Sequence, residues 1–246
     1  MKKKLFTVAL ALIIAITAIS GASLAYLKDS DGAKNVMTVG NVKIVQNEQD
    51  RNGNDFVQNQ KLLPAVYNGT LAYDGTTDKV ADKATYKIFD KTVNNELDKF
   101  ISVTNKGTED AYIRTIILIE NDAENKIQEM LHIRADNSDG QEMVPLMKDG
   151  KEVLVTIGGI TYSVVTCTYK TALAAGKTSA PSMMQIFLNP AAGNEWYDLV
   201  NGQLDILALS QGVQSQGFDN AAQALNAAFG EVNAENVLAW FANYNA

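Results

Sequence analysis

Hydrophobic positions along this 246-residue chain fall into two regimes. Behind Lys2, Lys3 and Lys4, Leu5 to Ser20 forms one apolar run of about 16 residues. From Met37 onward, short stretches alternate apolar and polar residues, as half-buried strands do. Met37-Thr38-Val39-Gly40-Asn41-Val42-Lys43-Ile44 reads as the first such strand. Phe100 to Thr104 and Ala111 to Ile119 flank Asn105-Lys106-Gly107-Thr108-Glu109-Asp110, whose turn chemistry predicts an antiparallel pair. Ile113, Ile117 and Ile119 share the predicted core face. Glu152 to Ile157 and Ile160 to Thr166 flank Gly158-Gly159, a two-residue loop suited to a primed hairpin turn. Asp149-Gly150 marks another tight turn, and Ser182 to Leu188 and Leu204 to Leu209 add two strands.

Strands this close together predict a mainly β chain, an antiparallel β-sandwich, rather than α/β alternation. Two short helices close it. Asp219 can cap a helix over 220–229 ended by Gly230, with Phe218 as a staple, and Asn233 can cap another over 234–243. Val237, Leu238 and Phe241 form the apolar stripe of the second. Both are short for independent stability, so they should dock on the β body. The expected organisation is one domain over 26–246, with an insertion or long connection at 47–97 and a helical elaboration at 218–243.

The apolar run has the anatomy of an export signal. Ser23 and Ala25 supply the small residues at the minus-three and minus-one places of a cut before Tyr26. An uncleaved anchor is the competing reading, but spanning a bilayer takes roughly 20 apolar residues and this run is shorter. Cleavage removes three lysines and no acid, so 21 basic residues become 18 against 28 acidic, and the net charge moves from −7 to −10. Such a surface attracts neither nucleic acid nor an anionic membrane. With 46% hydrophobic residues and four prolines, the exported part should fold rather than stay disordered.

Cys167 is the only cysteine, so no intrachain disulfide forms and the core must hold the fold. Within Ile160 to Tyr169 it reads as a small buried hydrophobe. A cysteine missing after the cut argues against a lipoprotein anchor, and the end at Asn245-Ala246 lacks an apolar tail, so release from the membrane, or retention only by binding, is expected.

Candidate chemistry is sparse. His132 is the single histidine, whereas zinc proteolysis of the common kind needs two, with a Glu to activate water. A serine triad would also need His132, and no Gly-x-Ser-x-Gly elbow occurs. Asp50, Asn52 and Asn54, and separately Asp29 and Asp31, offer oxygen ligands suited to calcium. However, Lys61 stands where an EF loop starting at Asp50 needs Glu, and Ala33 takes the fifth ligand place of the other stretch; both read as solvated loops. Trp196-Tyr197 can stack on a sugar or form a rim of the core. Carboxylate pairing for glycoside hydrolysis depends on the fold. No catalytic, cofactor-binding or metal residue is assigned, and no cofactor is expected.

Two stretches carry a family resemblance: Ala25-Tyr26-Leu27-Lys28-Asp29-Ser30-Asp31 with Asn35 to Ile44, and Val103-Thr104-Asn105-Lys106-Gly107-Thr108-Glu109-Asp110-Ala111-Tyr112-Ile113-Arg114. With the lysine-led signal, they make the chain resemble secreted proteins with a SipW-dependent-type signal peptide, including the TasA and camelysin family. That resemblance implies a jelly-roll-like sandwich, a dedicated type I signal peptidase as processing partner, and a place in the biofilm matrix or on the cell surface. Because camelysin is described as a surface metalloprotease, an enzyme reading stands as an alternative to the non-enzymatic one.

The functional expectation is a structural subunit that self-associates through β-strand addition or joins other matrix or surface components. Its arm would use Tyr26, Leu27, Met37, Val39, Val42 and Ile44. Each backbone hydrogen bond nets roughly 0.5–1.5 kcal/mol. Burying Tyr26 or Leu27 adds around 1.5–3 kcal/mol each, against about 1–2 kcal/mol to order each residue's backbone. Two rivals stand beside it: Met37 to Ile44 pairs inside its own sheet and the protein stays monomeric, or loops at one end of a monomeric sandwich bind glycan or protein as an adhesin.

Overall fold

The computed structural model describes residues 35–39, 42–50, 53–56, 62, 64, 87–88, 91–92, 97–136, 138–189 and 191–242. The predicted signal, its cleavage residues Ser23, Ala25 and Tyr26, the arm residue Leu27, and Asp29, Asp31 and Ala33 lie outside them, as does most of 57–86.

Fourteen strands are described, in chain order. The first half holds β1 (Asn35–Val39), β2 (Ile44–Gln49), β3 (Lys87–Ile88), β4 (Lys91–Thr92), β5 (Leu97–Asn105) and β6 (Ala111–Glu120). After a single-turn helix α1 (Lys126–Glu129) come β7 (Leu131–Arg134), β8 (Met143–Pro145), β9 (Met147–Lys148), β10 (Lys151–Glu152), β11 (Leu154–Ile157), β12 (Ile160–Thr168) and β13 (Met183–Leu188). Helix α2 (Asn194–Leu199), strand β14 (Ile206–Gln214), and helices α3 (Ala221–Phe229) and α4 (Ala234–Trp240) complete the chain.

Two sheets carry the architecture. The larger runs β1-β14-β6-β12-β11 with β8 also on β12, and the second runs β2-β5-β13-β7. Ile117 and Ile119 of β6, Val165 and Cys167 of β12, and Ile206 and Ala208 of β14 pack against Ile101 of β5 and Ile186 and Leu188 of β13. That interior makes the body the expected mainly β sandwich. The other face of the larger sheet is also buried: Ile116, Leu118, Val164, Leu207 and Leu209 lie under Val237 and Phe241 at the last helix. Both faces of β6 are therefore apolar, which explains its near-continuous Ile-Leu run.

The hairpins follow from their turn residues. Gly158 and Gly159 take φ of 59° and 89° between the antiparallel strands β11 and β12, a backbone region open to glycine and closed to most side chains. Asp149 and Gly150, at φ 53° and 75°, do the same between β9 and β10.

Three expectations need correction. First, β5 and β6 are not a hairpin: β5 lies in the smaller sheet and β6 in the larger. The Asn105 side chain donates to Glu109 O (2.8 Å) and Leu173 O (2.9 Å) and accepts from Gly107 N (2.9 Å), closing the connection as an arch. Ser179 N meanwhile donates to Val103 O (2.8 Å), so the end of β5 pairs with the 176–179 segment. Second, Met37 to Ile44 is two strands rather than one. β1 joins the larger sheet and β2 the smaller, so the chain changes sheets between Val39 and Ile44. Third, β1 pairs with β14 in parallel, whereas the other paired strands among the described residues are antiparallel.

The carboxy-terminal helices dock as expected, with three shifts. Asn220 rather than Asp219 caps α3, its side chain accepting from Gln223 N at 2.9 Å while the Gln223 side chain returns to Asp219 N at 3.1 Å. Asn233 caps α4 through Asn236 N at 2.8 Å, but the helix stops at Trp240. Val237 and Phe241 are buried, whereas Leu238 is 42% exposed and leaves the predicted stripe. Phe218 packs beside Ala221, Leu225 and Phe229 as the staple reading expects.

Candidate functional site at the β1 edge

Parallel pairing in register sets Val36 opposite Ser210 and Met37 opposite Gln211, and β14 in turn sets Ser210 opposite Thr115 and Gln211 opposite Arg114. Two rows therefore cross β1, β14 and β6, one on each face. Alternation along the strands sends them apart.

The inner row meets the smaller sheet. Val36 packs against the cluster of Val42, Ile44, Val103, Ala111, Ile113 and Tyr169. Ser210 Oγ donates to Gln46 Oε1 (2.7 Å) and lies 3.0 Å from Thr115 Oγ1. Gln46 Nε2 donates to Ala208 O (3.2 Å) and to Glu48 Oε1 (2.8 Å), and Lys99 closes an ion pair on Glu48. All of these side chains are buried, and Lys99 Nζ also sits 5.0 Å from the centre of the Phe56 ring. The chain thus satisfies a polar group of each sheet with one from the other, since an unpaired polar atom in this interior would be costly.

The outer row meets the helices. Gln211 Nε2 donates to Met37 Sδ at 3.6 Å, and Arg114 Nε donates to Gln211 Oε1 at 2.5 Å. Arg114 continues to Asn226 Oδ1 (2.8 Å) on α3 and Gly230 O (2.8 Å) at its end, with Trp240 of α4 facing the guanidinium 5.2 Å away. Burial pulls this guanidinium down to about 10, and the partners named are neutral acceptors.

Of the predicted arm, Met37 and Val39 lie on β1 within the chain's own sheet, as the self-paired rival supposes. Val42 and Ile44 are buried members of the body. Lys43 marks the boundary: its carbonyl accepts from Lys106 N (2.7 Å) and Gly107 N (3.0 Å), fixing the chain to the body where β2 begins. Gly212 adds a close approach, because a Cβ there would stand 3.0 Å from two carbons of Ile44. Replacing it by valine should cost about 1–3 kcal/mol through overpacking, read as a lower urea midpoint; an unchanged midpoint would refute the tight contact.

Two other edges, at β8 and β2, are guarded. Pro145 in β8 has no N–H to offer. Phe56 N donates to the β2 carbonyl of Glu48 at 2.9 Å, and Gln49 bridges Asp55, so the chain folds back over that edge. Among the described residues β14 is the only strand paired with β1.

The remaining candidates disperse. Cys167 is fully buried and burial pushes its thiol up to about 12, so it is a core residue. Alkylation of the folded protein should leave Cys167 unmodified while the unfolded chain reacts; rapid native labelling would contradict its placement. His132, on β7, stacks on Phe187 (5.1 Å between rings, 12° apart) with Asn189 Nδ2 3.3 Å from its Nε2. Desolvation lowers its pKa from 6.5, so the fold favours neutral imidazole. Its contribution to stability is full above 6.5 and is lost as pH falls through the lowered value. A proton NMR titration of this single histidine should give a midpoint below 6.5; a midpoint at or above it would contradict the burial.

Asp50 closes on itself locally, accepting from Asn54 N (2.9 Å) and Asn54 Nδ2 (2.8 Å), while Asn52 lies outside the described residues. Trp196 is buried with Nε1 on Ile127 O (2.9 Å), and Tyr197 packs edge-on beside it, as a rim of the core. Glu120 and Asp205 are two carboxylate residues that the fold brings together. Desolvation chiefly raises Glu120, whose Oε2 accepts from Asp205 N (2.8 Å), and Tyr162 Oη donates to Asp205 Oδ2 (2.9 Å), a clasp between β6 and the start of β14. Among the described residues no three His, Cys, Asp or Glu side chains gather as a metal site, and no helix is long and apolar enough to cross a membrane.

Sequence reading missed Gln46, Glu48, Lys99, Gln211 and Trp240. Arg114 carried a signal: a charge inside Ile113-Arg114-Thr115-Ile116-Ile117 must find buried partners. The geometry defines a mainly β sandwich with a helical layer on one sheet and a parallel first strand at its edge. No family model matches the chain, and neither a curated protein nor a solved structure matches it.

Proposed function

We propose that this protein is a secreted, non-enzymatic structural subunit of an extracellular matrix or cell surface, of the SipW-dependent, TasA and camelysin kind, and that it assembles through its first strand. Signal peptidase frees the segment ahead of β1, and β1 then leaves its own β14 and adds to the β14 of a neighbour. The observation that carries this reading is the placement of β1: five residues in parallel at the edge of a sheet, followed by a body anchored from Lys43. Backbone bonds net about 0.5–1.5 kcal/mol each, while ordering costs about 1–2 kcal/mol per residue. The pairing itself is near balance, and side-chain packing decides whether β1 stays. Exchange then trades equal bonds in one molecule for equal bonds between two.

The test compares a chain beginning at Tyr26 with one beginning at Val42, by size exclusion and electron microscopy over a concentration series. The longer chain should polymerise and the shorter stay monomeric; equal polymerisation would rule the mechanism out. Chelator-sensitive cleavage of casein by the processed protein would instead favour the camelysin-like protease reading.

One observation favours a second reading, a monomeric adhesin. A groove of about 340 Å³ runs beside β8, lined by Glu142, Val144, Leu146, Thr166, Lys170 and Val232, with Val144 54% exposed. Glycan-array binding by a protein that stays monomeric at every concentration would select it.

A further inference from the structure

We infer that the carboxy-terminal helices α3 and α4 form a clamp that sets how readily β1 leaves its sheet. The inference rests on the strand-exchange reading for its purpose but not for its physics. Met37 is the joint. It packs against the cluster under α4, with Leu209 and Phe241, and against the cluster under α3, with Val213 and Leu225; half-buried Trp240 packs against both clusters as well.

Hydrogen bonds run through the same place. From Met37 Sδ the contact passes to Gln211, from Gln211 to Arg114, and from Arg114 to Asn226 and Gly230 on the helical layer. The three side chains that begin this path occupy one cross-strand row, so it needs no intermediary. A strand whose backbone pairing is close to balance is held by such side-chain contacts. Lifting the helices removes the outer wall of Met37, while Val36 on the inner face keeps its packing. Docked and lifted helices are the two arrangements this coupling requires.

The device gives assembly a control separate from signal cleavage. Anything that binds the helical layer and draws it off the sheet promotes release of β1, and anything that fastens it there keeps the protein monomeric.

Hydrogen exchange on the processed chain tests this without reference to polymer. In the unaltered protein, amides of 35–39 should exchange with helix amides or faster. A β1 that stays protected while α3 and α4 exchange freely would overturn the clamp. In Trp240→Ala, amides of 35–39 should exchange at least tenfold faster, with amides of β5 and β12 unchanged. Acceleration of β1 only in step with β5 and β12 means general loosening and would also overturn it. Polymer yield on the same samples separates the two ideas. Selective loosening of β1 with unchanged polymer yield supports the clamp and removes strand exchange, whereas more polymer without selective loosening removes the clamp.

Discussion

Replacing Lys99 by methionine should lower the free energy of unfolding by about 3–5 kcal/mol, because it strands a carboxylate in the sandwich interior. Glu48 faces inward from β2 at 6% exposure, bonded on one oxygen by Gln46 and on the other by Lys99. Methionine keeps most of the lysine stem's volume, so lost packing contributes little. Converting Glu48 to glutamine in the same chain should recover most of the loss, since an amide oxygen still accepts from Gln46 and no charge remains. Urea denaturation of the two single variants and the double variant checks this. A Lys99→Met chain within about 1 kcal/mol of the parent would mean that water reaches the pair, as at exposed ion pairs.

Arg114→Ala should cost a comparable amount, about 3–5 kcal/mol, for a different reason. It removes bonds to Gln211, Asn226 and Gly230 together and opens a space beneath Trp240. Hydrogen bonds to a charged group contribute about 1.5–3 kcal/mol each and are not additive within one network. Arg114→Lys should fall between, because one ammonium cannot span a strand and a helix end as the guanidinium fork does. Domain stabilities are typically about 5–15 kcal/mol, so either alanine or methionine variant should show a large fall in melting temperature by circular dichroism. If Arg114→Ala melts with the parent, the helices are held by apolar contact alone.

Local signals were legible in the sequence, and pairings between distant segments were not. Gly158-Gly159, Asp149-Gly150 and Asn233 each determine their own turn or cap through backbone geometry that neighbours do not alter. Cys167 announced its burial because its flanks alternate as a strand. Alternation, however, fixes the face of a side chain and says nothing about the partner strand. That is why Val103 and Ile113 appeared to belong to one hairpin when they sit in opposite sheets against one shared core. The same blindness hid the parallel β1–β14 pair, in which Asn35 near the start of the described chain meets Leu209 near its end. The site was legible only as a list of apolar residues near the amino terminus. Its outer row depends on Arg114, Gln211 and Met37 meeting from three distant segments, and only Arg114 stood out in its surroundings.

Exchange of β1 is tested most directly by stapling it to its own sheet. Val39 and Val213 are register partners on β1 and β14, so cysteines at both positions can close a disulfide within one molecule, while buried Cys167 stays aside. The oxidised, processed protein should remain monomeric by size exclusion and electron microscopy, and reduction should restore polymer. Fibres of equal yield from the oxidised and reduced protein would show that the subunits join without giving up their first strand.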